Sequence, residues 1–142
     1  MALNRRLATA LVAAVVGLFA GCEPAGPKLH SVTAKVVVEG GNVADLAGST
    51  VDAMAEADPT VRASGTIEAD GTVRLETLHS GKVRKGAQEG TYKVRIVLSD
   101  DDKETRRKAA KAVAPKYRDF KTSGLSFQVP PPGEVTLKVT PR

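Results

Sequence analysis

The chain holds one cysteine, no tryptophan, two tyrosines, three phenylalanines and two histidines among its 142 residues. A single thiol excludes an intramolecular disulfide, so the fold must rest on packing alone. Without tryptophan or a cysteine pair, the antibody type of immunoglobulin sandwich is excluded. No apolar run reaches the ~20 residues that cross a bilayer. His30 and His79 stand in "LHSV" and "LHSG", and neither is followed by Glu at zinc-ligand spacing. Each precedes a serine, but a triad needs a histidine that reaches the nucleophile and an acid that orients it. The residues give no catalytic set, no metal site and no cofactor motif, and a non-enzymatic chain is the expectation.

What is present begins with Arg5 and Arg6, followed by a nearly unbroken apolar stretch from Leu7 to Ala20. That is the layout of a secretory signal, with a positive segment ahead of an apolar one too short to span. It ends at Leu18-Phe19-Ala20-Gly21-Cys22, which resembles the bacterial lipobox, with Phe19 where Leu is usual. The resemblance implies cleavage before Cys22, fatty-acyl chains such as palmitate on its sulfur, and export to a cell-envelope membrane. One acyl chain anchors only marginally and two or three hold durably. The expected organisation is a signal peptide over 1–21, an acylated N-terminus and tether over 22–30, and one domain over 31–142.

Period-2 alternation dominates the rest. Val32 to Val38, Val51 to Ala55, Val61 to Ile67, Val73 to Leu75, Tyr92 to Leu98, Leu125 to Val129 and Val135 to Val139 each place small or branched apolar residues at alternate positions. Asp70-Gly71 supplies a hairpin turn between the third and fourth, and "HSGKVRKGAQEG" reads as a glycine-rich basic loop. Seven short strands with one apolar face each predict an all-β, seven-stranded Greek-key sandwich of two packed sheets. Val94, Ile96 and Leu98 should share its core with Leu125, Phe127, Leu137 and Val139. Tyr92 and Tyr117 should each bury a ring and bond a hydroxyl.

"SDDDKETRRKAAKAVAP", residues 99–115, breaks the rhythm with acids suited to a helix start, good helix formers and a terminating Pro115. It predicts one short inserted surface helix, loosely docked through Ala109, Ala110 and Val113. Arg106, Arg107, Lys108 and Lys111 would project over most of its circumference. Charge is uneven: residues 22–81 carry a net −5 and residues 82–121 a net +7. The four basic residues form a candidate anion-binding set for lipid headgroups or an anionic envelope polymer. The set lacks aromatics for base stacking, and with export this argues against nucleic acid. Asp100, Asp101 and Asp102 fit helix capping better than calcium, because consecutive carboxylates diverge.

Two stretches, "KGAQEGTYKVRI" and "APKYRDFKTSGLSFQV", resemble small bacterial lipoproteins whose exported part is a carboxypeptidase regulatory-like domain of the transthyretin-like, or prealbumin-like, class. The matching residues are Gly48 and Val51, then Asp70, Gly71, Leu75 and Thr77, then Gly90, Tyr92, Lys93 and Val94. Pro115, Lys116, Tyr117 and the run from Thr122 to Leu125 complete the pattern, while Ser49 and the connection from Asn42 to Ala47 depart from it. The resemblance covers roughly residues 31 to 140 and brings no catalytic residues with it. The Tyr-Arg-Gly-Ser ending of hydroxyisourate hydrolases is missing from "KVTPR". A Lys-Asn isopeptide bond is disfavoured because Asn42, in a connection, is the sole asparagine after Cys22. The leading expectation is a membrane-anchored structural or interaction module with no protein partner specified. The alternative is a small-ligand carrier using the loops at one end of the sandwich.

Overall fold

Alternation becomes two facing sheets in the computed structural model, which describes residues 26–142. The strands are β1 (Leu29–His30), β2 (Thr33–Val38), β3 (Thr50–Ala55), β4 (Arg62–Thr66), β5 (Thr72–Arg74) and β6 (Glu76–His79). They continue with β7 (Lys82–Lys85), β8 (Ala87–Gln88), β9 (Gly90–Val97), β10 (Leu125–Val129) and β11 (Val135–Val139). One α-helix, α1 (Lys103–Ala112), lies between β9 and β10. The larger sheet runs β10-β9-β3-β4-β6-β7, the smaller β11-β2-β5, and β1 pairs with β8. The protein is therefore mostly β, sandwich-like, with a single helix among the described residues.

The core is the inward half of each strand. Val36, Val73, Leu137 and Val139 from the small sheet meet Val51, Ala53, Val94 and Ile96 from the large one, each no more than 1 % exposed. Tyr92 and Phe127 are cross-strand partners whose rings stack at 5.4 Å, and the Tyr92 hydroxyl donates to the Gln88 carbonyl at 3.0 Å. That bond removes the penalty of burying a phenol. Burial itself pushes the Tyr92 phenol above its ordinary pKa. Of the expected core residues, Leu98 and Leu125 are only partly buried and pack at its margin.

Each of the seven expected segments overlaps a strand, and four further short strands bring the number among the described residues to eleven instead of seven. The stretch expected as a basic loop contains β7 and β8, and β6 pairs with β7 from Glu76↔Lys85 to His79↔Lys82. Ser80 and Gly81, at φ of 50° and 74°, form the two-residue turn between them. Positive φ at both central positions gives the twist that antiparallel strands need. The stretch expected as tether is also partly folded, since Leu29–His30 pairs with Ala87–Gln88.

Asp70-Gly71 does turn the chain, with Gly71 N–H donating to Glu68 and Glu68 N–H to Thr72. It does not close a hairpin within one sheet, because β5 pairs with β2 while β4 pairs with β3. After the bend at Leu75 the chain returns to the large sheet, where Glu76 meets Ser64. The crossing is tight. A Cβ at Gly65 would stand 2.7 Å from Val73 Cγ1 and closer still to the Arg74 carbonyl oxygen.

Strand directions define two ends. At one end β3 begins, β4 ends and β9 ends, since Thr50 pairs with both Thr66 and Val97. Helix α1 follows β9 and sits at this end. Because β6 runs antiparallel to β4, the β6–β7 hairpin points toward the opposite end.

Candidate functional site

The basic residues singled out in the sequence lie on or beside α1, whose start is built locally. Asp102 caps it, accepting from the Thr105 amide at 2.8 Å and from the Thr105 hydroxyl at 2.6 Å. These bonds, the hydroxyl's first, hold the Asp102 carboxyl below its ordinary pKa. Val113 is already extended and Pro115 opens a 3-10 turn, so the helix stops after Ala112. Ala109, Ala112 and Val113 are buried, and Leu46 in the 3-10 turn Val43–Leu46 is fully buried. The C-terminal segment clasps the helix end: Ala114 N–H donates to Thr140 at 2.9 Å and Arg142 N–H to Lys111 at 3.1 Å. Arg118 adds a bond from Nη2 to the Ala110 carbonyl at 3.1 Å. The expected loose docking is therefore replaced by a helix fixed along one side and at its end.

This fixing sorts the four candidate cations. Arg106 pairs with Asp100 at 2.6 Å and Lys108 with Glu104 at 3.0 Å. Glu104 also holds the Lys108 ammonium above its usual pKa. Arg107 and Lys111 have no acidic partner within 4 Å among the described residues. At 100° per residue, Lys103, Arg107 and Lys111 fall on one stripe, bordered by Glu104 and Lys108. These five residues line an open depression of about 400 Å³. The basic residues span about 200° of the helix, and the buried Ala109 and Ala112 lie on the remaining side. Cys22, the expected lipid site, lies outside the described residues.

A second charged cluster had no sequence signal. Asp52, at an outward position of β3, accepts through Oδ2 from Arg95 Nε at 2.9 Å and Arg62 Nη1 at 3.3 Å. Both guanidinium groups lie over the Phe120 ring, at 5.3 Å for Arg62 and 4.7 Å for Arg95. The Asp52 side chain is 13 % exposed, so its charge is offset by two cations that the aromatic face also attracts. Strand pairing brings Asp52 opposite Ser64 and Arg95, and Phe120 is delivered by the connection after the 3-10 turn Pro115–Arg118. Chemically the cluster fastens that connection to the sheet.

Other concavities lie between the strands. One of about 370 Å³ is lined by Thr50, Ser64, Thr66, Glu68, Arg74 and Glu76 where β4 and β5 part into different sheets. Arg74 and Glu68 pair across it. His30 lies in β1 with Nε2 buried and without a hydrogen-bond partner among the described residues, and His79 ends β6. No group of three or more His, Cys, Asp or Glu among the described residues is arranged to hold a metal ion. No family model, no curated protein and no solved structure matches this chain.

Proposed function

We propose that this chain is an exported lipoprotein, held on a cell-envelope membrane by acyl chains on Cys22, whose domain serves as a non-enzymatic structural or interaction module. The observation that carries the reading is the run Leu18-Phe19-Ala20-Gly21-Cys22, which ends a charged and apolar leader four residues before the described domain begins. We assign the domain to the Greek-key, transthyretin-like sandwich class. Support comes from the connections β2 to β3, β4 to β5 and β10 to β11, each of which passes from one sheet to the other.

The interaction role is supported by how charge is spent within the domain. Asp52, Asp100, Glu104 and Glu68 hold internal cations, while Arg107, Lys111 and Lys103 face outward together. An anionic envelope polymer suits such a stripe, because spaced cations meet repeating negative charge at low geometric cost. The second reading, a small-ligand carrier, draws its support from the polar depression between β4 and β5, on a sheet face instead of the end loops.

The test is Cys22→Ala. The expected outcome is loss of the acyl mass and appearance of the protein in soluble fractions, or retention of the uncleaved leader. An unchanged mature mass together with unchanged membrane partition overturns the reading.

A further inference from the structure

Among the described residues, the most exposed large aliphatic side chains stand at one place. Leu78 and Val83 are 70 % and 66 % exposed, against 41 % for Val97 and 37 % for Val37. They are direct cross-strand partners, one pair back from the Ser80-Gly81 turn of the β6–β7 hairpin. Their side chains therefore stand together on one face. On β7, a fully exposed edge strand, Lys85 shares their face, while Lys82 and Arg84 flank Val83 in sequence and project from the opposite face. None of the three has an acidic partner within 4 Å among the described residues, although Glu76 faces Lys85 across the ladder. Lysines on an edge strand discourage pairing with other chains, but two bare aliphatic side chains beside them do not serve that purpose.

The location adds a second argument. The first described residue, Gly26, lies against the hairpin, since a Cβ there would stand 2.6 Å from Arg84 Nη1 and 3.6 Å from the His79 ring. Cys22 is four residues earlier, a reach of at most ~14 Å. A lipid on that cysteine thus brings the bilayer to the hairpin end of the domain.

We propose that the β6–β7 hairpin is a membrane-docking element. Leu78 and Val83 enter the interfacial layer of the bilayer that carries acylated Cys22, while Lys82, Arg84 and Lys85 meet its anionic headgroups. The proposal rests on the lipid-anchor reading. Apolar side chains and cations act together here as they do in interfacial anchors, the first by area and the second by salt-screened attraction. Docking orients the domain upright, with α1 at the end away from the membrane. The bilayer that holds the anchor then meets the hairpin cations, and the α1 stripe is left to a partner further out.

Acylation would consume the only native thiol, so a cysteine introduced at an exposed site becomes a unique label position. The full-length acylated protein, carrying Leu78→Cys or Val83→Cys with an environment-sensitive fluorophore, is reconstituted in phosphatidylglycerol–phosphatidylcholine vesicles. Val97→Cys, at the opposite end, is the reference. Labels at 78 and 83 should be quenched several-fold more by a lipid-borne nitroxide than by aqueous iodide, with the order reversed at 97. Joint replacement of Lys82, Arg84 and Lys85 by Glu should move the label at 78 into water while acylation and membrane retention persist. If the protein is acylated and retained but the label at 78 answers only to iodide, the docking proposal falls and the anchor stands. Protection from both quenchers together with cross-linking between copies overturns it in favour of edge pairing with a second chain. A free Cys22 thiol by mass overturns both readings.

Discussion

Replacing Gly65 by alanine is the sharpest test of how the two sheets are joined. Gly65 is in β4 and is not among the glycines at positive φ, so the cost of the added methyl is chiefly steric. The methyl would stand 2.7 Å from Val73 Cγ1, where carbon atoms prefer at least about 3.5 Å, and closer still to the Arg74 carbonyl oxygen. A backbone oxygen cannot rotate away as a side-chain tip can. Relief requires β4 and β5 to separate by roughly 1 Å, at the cost of about 1–3 kcal/mol typical of forced overpacking. For a domain of this size that corresponds to roughly 5–15 °C in melting temperature. Gly133→Ala is the control, because nothing lies within 4 Å of a Cβ there and its φ is not positive. The control should stay within ~0.5 kcal/mol of the parent. Thermal and urea unfolding followed by circular dichroism measures both variants. Equal melting temperatures for the two alanine variants would refute the close crossing of β4 and β5.

Phe127→Ala removes the ring stacked on Tyr92 and should destabilise the protein by about 3–5 kcal/mol in urea unfolding. An unshifted midpoint would show that the β10 ring is not in the core. Asp102 gives a pH-dependent expectation: its carboxyl titrates below the ordinary value in the folded state. The cap's contribution is therefore complete above the unfolded pKa and is lost as pH falls through the lower folded one. Asp102→Asn should flatten the acid side of the curve of melting temperature against pH, and Asp102→Ala should lower helicity at neutral pH. Identical acid profiles for the parent and Asp102→Asn would show that the cap does not form.

The inward face of every long strand was legible because burial forces a strict period of two, and Val94-Arg95-Ile96 reports it within a few residues. The hairpin of β6 and β7 was not, because Lys82-Val83-Arg84-Lys85 is exposed on both faces and no alternation is imposed on it. The Ser-Gly pair at its turn was the one local cue. Asp52 was legible as outward-facing, but its partner Arg95 lies 43 residues away and no local pattern announces the pairing. The path of β5 and β6 was hidden too, since a turn such as Asp70-Gly71 reverses the chain without fixing which sheet receives it. Helix α1 was visible in outline. Its fixation was not, because it depends on backbone groups of Thr140 and Arg142 supplied by the end of the chain.

The parallel pairing of β2 with β11 has a mechanical consequence. Five positions, Ala34 to Val38, are matched in register with Val135 to Val139, and both strands run from the hairpin end toward the α1 end. The start of β2 leads back to the proposed anchor, and the end of β11 leads to the clasp on α1. If the proposed anchor holds one end and a partner holds the other, tension between them would pull the two strands past each other along their length. The bonds of this pair lie across the line of pull, so they bear the load together in shear instead of parting one by one as in a peeled hairpin.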